Sequence, residues 1–187
     1  MGALGIVITG PVYASSTVRH PVIQSAVADL HHALNVKQTE EFSRYDSDQF
    51  SVDYPREWQI ESQGENSLAI VSVASGASMP IRTDIIVLRE DPQVAVPQRI
   101  DQISAEALSV QRYSLVTVDG QSGFRIWYEP APDQRALVTF VGYGNQQTVV
   151  LTSQYGSDTA VSAAVEDLVT QIHESFVNHA VARANLP

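Results

Sequence analysis

One tetrapeptide invites a nucleophile reading. Gly120-Gln121-Ser122-Gly123 is one residue short of the Gly-x-Ser-x-Gly elbow, in which a strained strand-to-helix turn lifts a serine hydroxyl toward substrate. Here the segment lies between two strand-like runs, so a hairpin turn explains its glycines and the serine is not assigned to catalysis. The five histidines are His20, His31, His32, His173 and His179. Neighbouring His31 and His32 point to different helix faces, and His173 and His179 are too far apart for an i, i+4 pair, so no metal ligand set is assigned. Asp46, Asp48 and Asp53 lack the glycine and closing glutamate of a calcium loop and read as a solvated acidic loop. Glu40-Glu41, Glu90-Asp91 and Glu166-Asp167 are adjacent pairs whose side chains diverge in helix or strand, which unsuits them for paired-carboxylate catalysis. The chain has no phosphate-binding loop and no dinucleotide fingerprint. The expectation is a protein with no catalytic, cofactor or metal residue, and not an enzyme.

The elements that would position any site follow from periodicity. Phe50, Val52 and Tyr54 alternate with polar residues as a half-buried strand that Pro55 ends. Further strands are expected from Trp58 to Glu61, Leu68 to Val73 and Thr83 to Leu88. The last carries Ile85-Ile86-Val87-Leu88, apolar on both faces, and should be central. Pro97 is expected to open a helix with a buried stripe of Ile100, Ile103, Ala107 and Val110. Tyr113–Val118 and Gly123–Glu129 should form a hairpin through Asp119-Gly120, and Ala136–Tyr143 and Gln147–Gln154 a second through Gly144-Asn145. Ser157 or Asp158 should cap a closing helix with the stripe Val161, Val165, Leu168, Ile172 and Phe176. The fold class is therefore α+β, an antiparallel sheet flanked by helices.

Composition bounds the setting. The 187 residues suffice for one domain with a core, and 44% are hydrophobic against 17% charged. A formal net charge of −10 opposes binding to nucleic acid and to anionic membranes. The absence of cysteine excludes disulfides and thiolate chemistry. No apolar run approaches the length of a membrane span. Leu4 to Val12 is an apolar run of signal-peptide length, followed by Val12-Tyr13-Ala14. Cleavage is expected after Ala14, and the missing basic flank points to a start further upstream. The expected organisation is a leader at 1–14, a helix and linker at 15–48, a domain at 49–178 and a tail at 179–187. The helix carries Ile23, Val27, Leu30 and Leu34 on one face, and the linker is the polar stretch Lys37 to Asp48.

The element order, headed by Phe50-Ser-Val-Asp-Tyr-Pro-Arg-Glu-Trp58, resembles the PsbP family, whose best-known members are lumenal extrinsic subunits of photosystem II. Other matches are Val118-Asp-Gly120, the strand ending Trp127-Tyr128, Val149-Val-Leu-Thr152 and the helix end at Ser175-Phe176. The resemblance covers residues 49 to 176 and implies an α/β/α sandwich. It implies an exported binding or assembly module in the thylakoid lumen or periplasm, accessory to photosystem II, with a protein as partner. The family's plant members carry basic segments before the domain; here Arg19, Lys37 and Arg44 stand against Asp29, Glu40, Glu41, Asp46 and Asp48. The alternative is a small-molecule or lipid carrier using a cleft between sheet and helix, and a less favoured one an envelope hydrolase. Trp58, after Tyr54-Pro55, is expected to anchor the core.

Overall fold

The computed structural model describes residues 41–73, 79–144, 146–157 and 162–179. The expected leader, the amino-terminal helix with His20, His31 and His32, Glu40, Asp158, Val161 and most of the tail lie outside the described residues.

Two helices and ten strands are seen among the described residues. The strands are β1 (Phe42–Asp46), β2 (Phe50–Pro55), β3 (Gln59–Gly64), β4 (Ser67–Val71), β5 (Arg82–Leu88), β6 (Ser109–Val118), β7 (Gln121–Ala131), β8 (Gln134–Tyr143), β9 (Gln147–Gly156) and β10 (Val177–Asn178). Helix α1 (Pro92–Glu106) follows β5, and α2 (Ser162–Glu174) follows β9. Seven strands form an antiparallel sheet in the order β3-β4-β5-β9-β8-β7-β6, and β1-β2-β10 form a second, small antiparallel sheet. The architecture is α+β, as the sequence indicates.

The strands carry apolar side chains on both faces, so the large sheet must be covered twice. In β5, Ile85 and Val87 face the small sheet and α2, while Leu88 faces α1. The small sheet lays Phe50 and Val52 on Ile70, Ile85 and Leu151; α2 adds Ile172, and the segment after it adds Phe176, which lies beyond the helix end at Glu174 and not in its expected stripe. Farther along, Val165 and Val169 of α2 meet Trp127, Leu137 and Tyr155. On the opposite face α1 sets Val96, Ile100 and Ile103 against Ile126, Val138, Phe140 and Val150.

Several boundaries differ from the sequence reading, each for a local reason. The polar stretch read as linker contains β1, whose residues pair with β2 from Phe42↔Pro55 to Asp46↔Ser51. Helix α1 begins at Pro92, with the Asp91 carboxylate accepting from the Gln93 amide at 2.8 Å; Pro97 sits inside it. Pro97 removes one helical N–H, but both Pro97 and Gln93 are exposed, so water can serve the freed carbonyl. The helix stops at Glu106; Ala107 is its cap, and Val110 belongs to β6, not to the helix stripe. Helix α2 is described from Ser162, and Ser157 donates its backbone N–H to the Asp133 carbonyl at 3.1 Å. Its buried stripe uses Val169, which is fully buried, where Leu168 was expected and is only half-buried.

Both hairpins form. Asp119 and Gly120 take φ of 51° and 70°, the left-handed pair that a tight two-residue turn needs. Gly123 serves a different purpose: a Cβ there would lie 2.7 Å from the Phe140 carbonyl oxygen, so its bare backbone lets β8 approach. Trp58 is half-buried at the edge of the core, not at its centre. The central aromatic pair is Phe50 and Phe176, stacked at 5.4 Å and about fully buried. Phe176→Ala should therefore cost about 3–5 kcal/mol in denaturant unfolding. Trp58→Ala should cost clearly less, and the reverse order would displace the Phe50–Phe176 stack as the centre.

Candidate functional site

The strand registers define two rows of polar side chains on the face under α2. Thr83 lies beside Ser153, and Arg125 beside Thr139. His173 of α2 enters between these rows and is fully buried. Its Nε2 lies 2.9 Å from Ser153 Oγ and its Nδ1 2.9 Å from Thr139 Oγ1. Ser153 Oγ is in turn 2.7 Å from Thr83 Oγ1, and Arg125 Nε donates to Thr139 Oγ1 at 3.0 Å. The line reaches the surface through Arg125, whose other guanidinium nitrogen pairs with Glu174 at 3.1 Å. A neutral imidazole that donates from Nε2 and accepts at Nδ1 lets Thr139 and Ser153 each both donate and accept.

This is the serine–histidine contact that sequence spacing did not reveal, because Ser153 and His173 come from different elements. The sequence reading gave His173 no role; it is fully buried in the core. The contact resembles half of a catalytic triad, but Thr139 stands where an orienting carboxylate would be, and Ser153 is fully buried. A sealed hydroxyl cannot reach substrate. The line's evident work is to satisfy hydroxyls that a purely apolar helix would leave unpaired.

The other side chains weighed for chemistry are held apart. Ser122 is exposed in the β6–β7 hairpin, opposite Thr117. Asp53 is clasped by Arg44 at 2.6 and 2.9 Å. His179 Nδ1 donates to the Ser47 carbonyl at 2.8 Å and stands 3.7 Å from Asp46. Glu166 pairs with Arg112, whose guanidinium carbon also lies 4.0 Å from the Trp127 ring centre. Asp91 caps α1, and the Glu90 carbonyl accepts from Thr148 at 2.9 Å. Among the described residues no three His, Asp or Glu side chains converge as a metal site.

The face under α1 is the more open one. Register places Leu115, Phe124, Phe140, Val150 and Ile86 in one row across five strands, and Tyr113, Ile126, Val138 and Thr152 in the next. Helix α1 covers the inner part of these rows and leaves a cleft of about 290 Å³ between its second half and the sheet. Beyond the helix the rows emerge on β6, the outermost strand, where Tyr113 is 72% and Leu115 84% exposed. Leu108 and Val110 add to the exposed apolar surface at 62% and 47%. Tyr113 leans on Phe124 with ring centres 5.7 Å apart. Spacing alone could not separate these residues from core, since Tyr113 and Leu115 alternate just as buried strand residues do.

The arrangement is that of a PsbP-like fold. The chain superposes on the solution structure of cyanobacterial PsbP from Synechocystis with a TM-score of 0.51 and 13% identity, covering 75% of this chain and 94% of that one. It superposes likewise on LpqN of Mycobacterium tuberculosis, described as involved in cell envelope biogenesis, with a TM-score of 0.53, 14% identity and coverage of 77% and 94%. No family model matches the chain, and no curated protein does. At this identity the likeness shows the fold alone.

The buried imidazole has a consequence for pH. Burial, and then the nearby Arg125 charge, push the His173 pKa down to about 3, well below its ordinary value near 6.5. The unfolded chain therefore binds a proton between those values that the folded chain refuses. The stability this supplies is complete above about pH 6.5 and is lost as pH falls toward about 3, at no more than about 1.4 kcal/mol per pH unit. His173→Gln should be less stable at pH 7 by about 1–3 kcal/mol, through its poorer fit to the two hydroxyls. Its stability should decline less steeply on acidification, and urea unfolding across that window checks both statements.

Proposed function

We propose that the chain is an exported, non-catalytic binding module whose partner is a protein docking on the apolar outer strand β6. The observation that carries this reading is the exposure of Tyr113 and Leu115 side by side on that strand. Single exposed apolar residues are ordinary, but a contiguous set on an unpaired sheet edge is an interaction surface or an aggregation hazard. Strand β6 has neither proline nor lysine, and its one charge, Arg112, is engaged with Glu166. With a formal net charge of −10 the molecule favours a partner with a basic rim around the apolar contact.

Export is supported by the apolar run before Ala14. No helix among the described residues is long and apolar enough to cross a membrane. The likeness to cyanobacterial PsbP supports a role beside photosystem II, whereas the likeness to LpqN supports one in the cell envelope; thylakoid lumen and periplasm correspond to these two readings. The absence of catalysis is supported by the sealing of Ser153. Turnover of an ester, phosphate, peptide or glycoside substrate that disappears in Ser153→Ala would overturn it.

Leu115→Ser tests the docking surface directly. Stability should change by less than about 0.5 kcal/mol, as at other exposed positions. Proteins captured by the wild-type chain from an extract of its native host should be released at least about tenfold more readily by the variant. An unchanged set of captured proteins would remove β6 as the binding surface.

A further inference from the structure

The cleft beneath α1 is separate from the β6 surface and carries a second inference: we propose that it binds a small, uncharged amphiphile, a compact apolar body bearing one hydrogen-bonding group such as a carbonyl, hydroxyl or N–H. At about 290 Å³ it sits at the small end of ligand pockets, which run from ~300 to 1,000 Å³, so a two-chain lipid is too large. Its floor is apolar, with Phe140 and Val150 on the sheet and Ile103 on the helix. That floor calls for an apolar body.

The mouth decides the charge. Arg99 donates to Gln102 Oε1 at 3.2 Å, and Gln102 Nε2 donates to Glu106 Oε1 at 3.1 Å. One positive and one negative group are thus tied together along the helix and leave the rim neutral. The surrounding molecule, at a formal −10, opposes entry of an anion. Thr152 and Gln154, half-buried, line the cleft from β9 and offer side-chain donors and acceptors to a polar end of the ligand. Tyr128, also lining the cleft, is held protonated by burial and the nearby Glu106, and so keeps a hydroxyl donor. Donors and acceptors at the end of an apolar floor fit one hydrogen-bonding group on an otherwise apolar molecule.

N-phenyl-1-naphthylamine, a neutral apolar fluorescent probe whose one polar group is an N–H, stands in for such a molecule, and its 8-sulfonate is the same skeleton with a negative charge. The neutral probe should bind the full chain saturably at one site, and more tightly than the sulfonate. Ile103→Trp and Thr152→Phe, each filling the cleft from a different wall, should weaken it by about tenfold or more. Both are compared with wild type after circular dichroism has shown them folded, and two walls are used so that one misfolded variant leaves the other to decide. Leu115→Ser should bind the probe as wild type does, which separates this site from the protein-docking surface. The proposal fails if the wild-type chain shows no saturable binding, if the folded filling variants bind normally, or if the sulfonate binds more tightly. It fails too if the loss follows Leu115→Ser, which would locate the probe on β6.

Discussion

The large sheet is apolar on both faces, and the rest of the structure depends on covering it twice. One cover is thick: α2 and a three-stranded sheet together bury Ile85, Leu151 and Val141. The other is a single helix, α1, which spans only the middle of its face. A sheet seven strands wide is broader than one helix, whose diameter with side chains is about 10–12 Å against a strand spacing of about 4.7–4.9 Å. The uncovered margin falls on β6. The cleft and the exposed strand therefore share a cause, which is the mismatch between sheet width and helix cover.

On the thick side, apolar packing coexists with a polar line. Thr83, Ser153 and Thr139 are all fully buried, and each would be costly to seal without a partner. His173 serves two of them at once, since a neutral imidazole offers one donor and one acceptor on opposite sides of its ring. It therefore works as a directional fastener: leucine at this place would fill space but would not select one rotation of α2 over the sheet. Arg125 extends the same line outward to Glu174, so a charge can sit beneath a helix without being isolated.

Much of the element order was legible in the amino acids, because it depends on local signals. Asp119-Gly120 and the alternation around Ile85 mark a turn and a central strand without reference to distant residues. What escaped was set by distant partners. Phe42 to Asp46 reads as polar linker because its pairing partner, β2, supplies the reason for its extension. Val110 fits a helical stripe by spacing, but Ala107 adopts an extended backbone and sends it into β6. His173 gave no sign of its role, since Thr139 and Ser153 lie 34 and 20 residues away in sequence. The exposed face of β6 was equally hidden, because exposure depends on how far α1 reaches.

The small sheet brings the two ends of the described domain together. β2 lies between β1, which precedes it, and β10, near the end of the chain. The Ser175 hydroxyl accepts from the Asp53 amide across 122 residues of sequence, and the His179 amide donates to the Gln49 carbonyl. Asp119, at the tip of the β6–β7 hairpin, also accepts from the Asn178 amide at 3.0 Å. During synthesis β2 can pair with β1 at once, but its other edge waits until almost the whole domain has left the ribosome. The last turn of assembly is thus a closure between β2 and β10, an early strand and the last strand of the described domain, a contact of long sequence separation of the kind that slows folding.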